Sequence, residues 1–222
     1  MKRNEADPTK ITRETYDQIA SGYTQRIDEL VLNTWVGKFE KYLLDKLVTL
    51  VMTGGVQTAE ILDIGCGYGK DTFYLSQKKR VIAIGLDYSS GMLSEARKNF
   101  PSVFFVQMDM RNLGFVRSYF RGVWANGCVY HIPKKELTRV LLEVRGVLNS
   151  SGIFSFNFKV GTDEQLEKNP RSYGGKSRFY AYYGIEEMKS LIAQVDLKVV
   201  EVEPYPKAIL GERIVQMWTQ KP

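Results

Sequence analysis

The chain has 222 residues, of which 44% are hydrophobic and 25% are charged. These proportions are those of an ordinary globular protein, and the length suits one α/β domain over residues 1–222. No apolar run reaches the roughly 18 residues that a membrane span needs, and no apolar segment follows the basic residues at the start. We therefore expect a cytoplasmic protein with no membrane partner.

The formal net charge of +6 raises the question of nucleic-acid binding. The basic residues are spread along the chain, and the densest cluster, at residues 78–80, falls where a predicted helix ends, which favours cations. We expect a solvated basic surface rather than a nucleic-acid site, and attraction to an anionic small substrate stays open. The two cysteines, Cys66 and Cys128, fit a reducing compartment and exclude a disulfide framework.

Residues 1–55 predict two helices that form an N-terminal helical cap. Apolar side chains recur at helical spacing in residues 16–27 and again in residues 39–50, and Gly54-Gly55 ends the pattern.

From residue 56 onward, short apolar runs alternate with amphipathic stretches. The predicted strands are 60–64, 81–86, 103–108, 122–126, 152–158, 197–202 and 213–219. The predicted helices are 70–77, 89–99, 134–148 and 185–195. This alternation predicts an α/β fold with a doubly wound, seven-stranded and mostly parallel sheet. The last strand is expected to run antiparallel, because only a short non-helical connection precedes it.

A glycine-rich loop joins the first predicted strand to the next helix. Glycines at positions 65, 67 and 69 let the backbone turn tightly and let a ligand approach without a Cβ in the way. In an open α/β sheet, the crevice at the carboxyl end of such a strand is the expected ligand site. For the loop alone, a tight turn without a ligand is the alternative.

Two acidic residues at later strand ends make the ligand more specific. Asp87 ends the second strand, where a carboxylate can accept hydrogen bonds from both ribose hydroxyls. Asp109 follows the third strand, where a carboxylate could accept from an adenine amino group. Either acid alone would be interpreted as a solvated strand-end residue. Together, at the ends of successive parallel strands, they are expected to line one edge of the same ligand crevice.

Two features separate S-adenosylmethionine from a nicotinamide dinucleotide. The dinucleotide fingerprint has a small residue at its sixth position, where this chain has Lys70. Asp63 precedes the glycines, and a carboxylate there suits a cationic amino-acid moiety but not a pyrophosphate. The residues therefore favour S-adenosylmethionine as the cofactor.

Several stretches resemble the successive motifs of class I S-adenosylmethionine-dependent methyltransferases of the small-molecule type. They are residues 63–69, 85–99, 109–110, 122–137, 150–159 and 178–192. The resemblance covers nearly the whole chain and implies a single Rossmann-like methyltransferase domain. It also implies S-adenosylmethionine as cofactor and a small-molecule acceptor, but its motifs do not specify which acceptor.

The resemblance implies a role for each matched residue. The glycine loop would border the methionine moiety, Asp87 the ribose, and Asp109 the adenine. Tyr16 and Tyr23 would close over the cofactor, although their spacing suits a core-facing aromatic stripe equally well. The full set expected to bind the cofactor is Tyr16, Tyr23, Arg26, Asp63, Gly65, Cys66, Gly67, Gly69, Asp87, Tyr88, Asp109, Met110, Asn126 and Gly127.

The acceptor side is less well marked. Transfer from a sulfonium is an in-line displacement, so a base is needed only when the nucleophile must lose a proton. His131, the only histidine, is a candidate base or substrate contact. The alternative is that it has only a structural role. Residues 160–183 are expected to form a lid over the acceptor. Within it Arg178 and Tyr180 are the leading acceptor contacts, whereas Tyr182 and Tyr183 are expected to pack against the next helix.

No cluster of cysteine or histidine predicts a metal site. Two other functions stay open. An RNA methyltransferase is supported only by the basic charge, and it predicts strongly salt-dependent RNA binding. A non-catalytic nucleotide-binding module would hold the ligand without an acceptor pocket. The oligomeric state and the identity of the acceptor are not predicted.

Overall fold

The computed structural model describes residues 7–31, 35–168, 175–205 and 213–222. Its helices are α1 (Pro8–Val31), α2 (Trp35–Val51), α3 (Lys70–Ser76), α4 (Ser90–Asn99), α5 (Lys134–Val147) and α6 (Ile185–Gln194). Its strands are β1 (Ala59–Ile64), β2 (Val81–Asp87), β3 (Phe104–Gln107), β4 (Phe120–Ala125), β5 (Leu148–Val160), β6 (Glu164–Lys168), β7 (Ser177–Tyr183), β8 (Lys198–Pro204) and β9 (Ile214–Gln220). None of the described helices is long and apolar enough to span a membrane.

The described strands form one mixed sheet whose first part is parallel, in the order β3-β2-β1-β4-β5. β9 runs antiparallel to β5, and β8 runs antiparallel to β9. A doubly wound, mostly parallel α/β sheet with an antiparallel last strand is thereby confirmed. The helical crossovers force the parallel pairs, whereas only residues 205–213 separate β8 from β9, fewer than the dozen or so that a parallel crossover needs.

Two strands are additional to the seven expected. β6 and β7 form an antiparallel pair inside residues 160–183, which were expected to be a lid, and the end of β7 pairs in parallel with the end of β5. The alternation of β7 is hard to see because Arg178, Phe179, Tyr180 and Ala181 are all buried. β6 is mostly exposed and polar, so it carries no apolar pattern at all.

Alternation along β5 shows how the sheet separates two environments. Phe154, Phe156 and Phe158 pack with apolar side chains of α5 and α6 in one cluster. The residues between them are polar, and all three are buried: Ser155, Asn157 and Lys159. Successive side chains of a strand point to opposite faces. One face of β5 is therefore core, and the other carries polar groups into the interior.

Helix α1 is held against the rest of the fold by hydrogen bonds at three points. Asp17 accepts from the backbone N–H of Gly91 at 2.9 Å, at the start of α4. Thr15 donates to the carbonyl of Ser177 at 2.6 Å, and Thr12 accepts from the N–H of Phe179 at 2.9 Å. The first predicted helix is thus fixed to both α4 and β7.

Gly69, the residue before α3, shows why this loop needs a third glycine. Its φ is +87°, and a Cβ there would lie 2.6 Å from the ring of Phe105 and 3.1 Å from the Cβ of Ala96. Both the left-handed backbone and the close packing of α3 therefore require glycine at this position. The glycine serves the packing of the helix on the sheet.

We expect Gly69→Ala to lower the free energy of unfolding by about 2–4 kcal/mol, since it adds overpacking to the backbone cost. Gly67→Ala is the matched control, because Gly67 has a φ of +55° with no neighbouring atom within 4 Å of an added Cβ. It should cost only the backbone part, about 1–2 kcal/mol. Urea unfolding of both variants measures the difference, and equal losses would contradict this account of Gly69.

Candidate active site

A cavity of about 370 Å³ lies at the carboxyl ends of the parallel strands, a size typical of small-molecule sites. Twelve of the fourteen residues expected to bind the cofactor lie in its wall: Tyr16, Tyr23, Asp63, Gly65, Cys66, Gly67, Asp87, Tyr88, Asp109, Met110, Asn126 and Gly127. The side chain of Arg26 lies outside the described residues. Gly69 is not in the wall, because it packs against Phe105 instead.

Asp87 connects the two segments that border the cavity. Its Oδ2 accepts from the N–H of Gly67 at 2.9 Å, and its Oδ1 accepts from the N–H of Ser89 at 2.8 Å. A carboxylate has about four lone-pair positions, so these two bonds leave acceptor capacity for a ligand hydroxyl. Burial raises the pKa of Asp87, although the backbone N–H donors act in the opposite direction.

The two glycines in the wall serve different purposes. Gly67 has open space where a Cβ would be, and its N–H is the donor to Asp87. At Gly65 an added Cβ would lie 2.4 Å from the Cβ of Cys128, so glycine permits the loop after β4 to approach the loop after β1. Cys128 is buried there, and its thiol donates to the carbonyl of Ile64 at 3.1 Å.

Asp63 lies beneath the glycine loop and is buried. Its Oδ2 accepts from the hydroxyl of Thr72 at 2.6 Å. Burial, together with the charge of Asp71, raises the pKa of Asp63 to about 8. A cation entering the cavity nearby would stabilise the ionised carboxylate and lower this pKa.

A polar cluster in the wall joins Lys70 to residues that the sequence patterns did not single out. The Lys70 ammonium lies 2.7 Å from Glu40 and 3.1 Å from Asp71, and Tyr205 donates to Glu40 at 2.7 Å. Trp124 in turn donates to Asp71 at 3.0 Å. Glu40 and Tyr205 are 165 positions apart in the chain, so no local pattern could pair them.

Asn157 is a further wall residue that was not expected, although the sequence carries a signal for it. Its Oδ1 accepts from the N–H of Gly127 at 2.8 Å, and its amide donates to Asn126. The signal is the regular insertion of polar residues between the phenylalanines of β5, because a strand buried on both faces is normally apolar throughout. These two bonds fix the loop after β4.

His131 belongs to a hydrogen-bond chain that crosses from η1, a 3₁₀ turn at Val129–His131, to α1 and β7. Its Nδ1 lies 2.6 Å from the carbonyl oxygen of Phe179, which can only accept, so Nδ1 carries the proton. In the neutral ring Nε2 then accepts from the hydroxyl of Tyr16 at 3.1 Å, and that hydroxyl accepts from Nη1 of Arg178. Both ring nitrogens are therefore engaged.

The other acceptor-side candidates lie behind the wall rather than in it. Arg178 and Tyr180 are buried, and the ring centroid of Tyr180 is 4.8 Å from His131. Tyr183 packs in the apolar cluster that contains side chains of α6, which confirms its expected place. Tyr182 differs from the expectation, because it bonds Glu167 of β6 and lies on the polar face of the sheet, 5.5 Å from the Lys159 ammonium. Residues 169–174 of the expected lid lie outside the described residues.

The environment of His131 makes stability depend on pH. Burial holds the pKa of His131 well below its ordinary value of 6.5, and the positive charges of Arg178 and Lys159 act in the same direction. The unfolded chain therefore binds a proton more readily than the native one. The stabilisation is complete above pH 6.5 and is lost as the pH falls below that value.

Urea unfolding between pH 5.0 and 7.5 tests this effect with His131→Asn, which keeps a donor for the Phe179 carbonyl but does not titrate. At pH 7.5 we expect the variant to be about 1–3 kcal/mol less stable. Below pH 6.5 the wild type should lose stability faster, by up to about 1.4 kcal/mol per pH unit. Parallel pH profiles for the two proteins would show that His131 titrates normally.

Comparison with known proteins finds similarity in the central part of the chain. Residues 61–152 match a family model described as a methyltransferase domain. Malonyl-[acyl-carrier protein] O-methyltransferase of Geobacter sulfurreducens is 26% identical over 174 residues, which cover 73% of this chain and 64% of that protein. The chain thus spans less than two thirds of the length of this relative.

Two solved structures show the same fold. The 1,6-didemethyltoxoflavin-N1-methyltransferase of Burkholderia thailandensis, solved with its acceptor and S-adenosylhomocysteine, has a TM-score of 0.69 at 19% identity; the match covers 100% of this chain and 93% of that chain. The [4+2]-cyclase SpnF has a TM-score of 0.75 at 13% identity, and the match covers 97% of this chain and 96% of that chain. At these identities the likeness concerns the fold and leaves the reaction open.

Proposed function

Because this chain belongs to the class I S-adenosylmethionine-dependent methyltransferase superfamily, we propose that it transfers a methyl group from that cofactor to an O, N or C nucleophile of a small molecule. The observation that carries the proposal is the meeting of Asp63, the Gly65–Gly67 loop and Asp87 in the wall of one cavity. The relatives named above methylate oxygen in one case and nitrogen in the other, so they do not decide the acceptor atom.

The residues of the cavity fit the cofactor in charge and in hydrogen bonding. Asp87 keeps lone pairs for the ribose hydroxyls beyond its two backbone bonds. Asp63 would face the cationic methionine end, where its carboxylate gains from a nearby positive charge. Asp109 binds Arg111 through both oxygens, at 3.1 and 2.7 Å, so it also holds the segment after β3 beside the proposed adenine site.

For methyl transfer the protein needs mainly to align the acceptor nucleophile with the methyl group and to exclude water from the site. The cofactor supplies a methyl group on a sulfonium whose leaving group is already activated. Tyr16 of α1 and Tyr130 of the loop after β4 both line the cavity. Aromatic walls of this kind would orient an acceptor and exclude water from the reacting atoms.

We also propose that residues 1–222 form one methyltransferase domain with a helical cap over residues 1–55. The hydrogen bonds from the N–H of Gly91 to Asp17 and from the hydroxyl of Thr15 to Ser177 support it, because they tie α1 to both α4 and β7. A cytoplasmic location is supported by Cys66 and Cys128, which are both free thiols.

Calorimetric titration tests the cofactor. We expect saturable binding of S-adenosylhomocysteine and no binding of NAD, and the reverse pattern would overturn the proposal. Turnover of S-adenosylmethionine with any acceptor would then exclude a non-catalytic binding module. Tight RNA binding that weakens steeply with salt would instead support the RNA methyltransferase alternative.

Asp87→Asn tests the proposed ribose site. We expect it to weaken S-adenosylhomocysteine binding by about 1–3 kcal/mol, because charge-assisted hydrogen bonds are lost. Asp196→Asn is the matched control: Asp196 lies in the left-handed region at φ 54°, which asparagine tolerates, and it is not in the cavity wall. Calorimetry gives the affinities, and thermal unfolding of each variant separates ligand loss from loop disorder. Unchanged affinity in Asp87→Asn would refute the ribose assignment.

A further inference from the structure

The first two turns of α1 form part of the cavity wall. Thr9, Thr12 and Arg13 line the cavity together with Tyr88 and Asp109, which follow β2 and β3. The guanidinium of Arg13 lies 5.1 Å from the ring centroid of Tyr88. The ends of β2 and β3 are where the ribose and the adenine are proposed to bind, so the start of α1 lies beside the adenosine end of the proposed cofactor.

Arg111 joins two carboxylates that come from different parts of the chain. Its Nε and Nη2 donate to Asp109, at 3.1 and 2.7 Å, and its Nη1 and Nη2 both donate to Asp7, at 3.2 Å. Asp7 directly precedes α1 and is 104 positions away from Arg111. Only 15% of the Arg111 side chain is exposed. Paired N–H donors of this kind fix a geometry as well as adding energy, so the Arg111 bridge (Asp7, Arg111 and Asp109) holds the start of α1 against the segment after β3.

Asp7 also caps α1. Its Oδ1 accepts from the N–H of Thr9 at 3.0 Å and from the hydroxyl of Thr9 at 2.6 Å, while its Oδ2 accepts from Arg111. The first N–H groups of a helix have no partner within the helix, and an aspartate before it supplies one. One oxygen of Asp7 therefore caps the helix, and the other fixes the helix in place.

The second strand-end acid is tied to the same helix. Asp87 accepts from the N–H of Ser89 at 2.8 Å, and the hydroxyl of Ser89 donates to Asp17 of α1 at 2.7 Å. Asp109 is connected to α1 through Arg111. Neither Asp17 nor Arg111 is among the described residues of the cavity wall, so each would act on a ligand only through the groups that it holds.

On the basis of the proposed cofactor site, we propose that Arg111 is a positioning residue for that site. By joining Asp7 to Asp109 it holds the start of α1 beside the adenosine end, so that docking of α1 and binding of the cofactor stabilise each other. Such a coupling is reciprocal: the factor that docked α1 adds to cofactor affinity equals the factor that the cofactor adds to docking. A protein in which α1 is docked for only part of the time binds the cofactor with an affinity reduced by that fraction.

Asp7→Asn tests this coupling. Asparagine keeps an oxygen for the two bonds from Thr9 and caps helices as well as aspartate does, but it loses the charge that holds Arg111. The pair between Arg111 and Asp109 stays intact, so a change in affinity has to come through α1. By calorimetry we expect S-adenosylhomocysteine to bind at least about fivefold more weakly than to the wild type. Arg111→Met should weaken binding at least as much, because it also releases Asp109.

Lys46→Met is the matched control. The Lys46 ammonium also joins two carboxylates, Glu201 at 2.9 Å and Glu203 at 2.8 Å, and its side chain is 18% exposed. It ties α2 to β8, and none of the three is among the described residues of the cavity wall. We expect its affinity for S-adenosylhomocysteine to stay within about twofold of the wild type. A loss as large as that of Asp7→Asn would show a general effect of lost stability and would contradict the assignment.

Hydrogen exchange separates positioning from simple stabilisation of the fold, because amide exchange reports the local opening of a helix. In the wild type, saturating S-adenosylhomocysteine should slow the exchange of residues 10–20 of α1 more than that of α6, which contributes no described residue to the wall. In Asp7→Asn the free protein should exchange faster in α1, and the ligand should restore most of the protection. Equal slowing of α1 and α6 in the wild type would overturn the inference, and so would unchanged affinity in both Asp7→Asn and Arg111→Met.

The outcome is distinguishable from failure of the proposed function. If the wild type binds S-adenosylhomocysteine and the variants of the Arg111 bridge bind it equally well, the positioning role is wrong and the cofactor assignment stands. If the wild type does not bind S-adenosylhomocysteine, the cofactor assignment fails and the positioning role fails with it. The exchange measurement on the wild type requires no substitution, so it decides the inference even where a variant does not fold.

Discussion

The carboxylate of Asp87 is the contact on which the arrangement of the cavity depends. It joins the N–H of Gly67 in the glycine loop to the N–H of Ser89 at the start of α4. The Ser89 hydroxyl in turn donates to Asp17 of α1 at 2.7 Å, and it accepts from the N–H of Met92 as the cap of α4. Through these bonds Asp87 positions the glycine loop, α4 and α1. A ligand that binds Asp87 would contact all three of these segments.

Charge is distributed unevenly around this framework. The acids lie where the glycine loop turns, and burial together with the charge of Asp71 raises the pKa of Asp63. The cations Lys159 and Arg178 lie on the polar face of β5 and β7, held by tyrosine rings and by the hydroxyl of Tyr16.

Hydrophobic periodicity and short motifs in the sequence were sufficient to predict the parallel sheet and the family resemblance. Alternation of apolar runs and amphipathic stretches predicted the parallel sheet, which is confirmed. The resemblance to class I methyltransferases is also confirmed, with a family model that matches residues 61–152. The roles of individual residues in cofactor binding stay predictions, although nearly all of these residues lie in the wall of the cavity. Strands β6 and β7 escaped detection because one is exposed and polar and the other is buried on both faces. Asn157 is visible in the sequence only as one of the polar residues that alternate with the phenylalanines of β5, and no motif marks it as a site residue.

Local sequence was sufficient for the glycine loop, for Asp63 and for Asp87, because a parallel strand and the turn that follows it place these residues within one short segment each. It was insufficient for the pairing of distant groups. Tyr16 meets His131 across 115 positions and Arg178 across 162, and only the packing of α1 against β7 brings them together. The same packing buries Arg178 and, with β5, Lys159. Their burial depends on every element that surrounds them and on no single stretch of the chain.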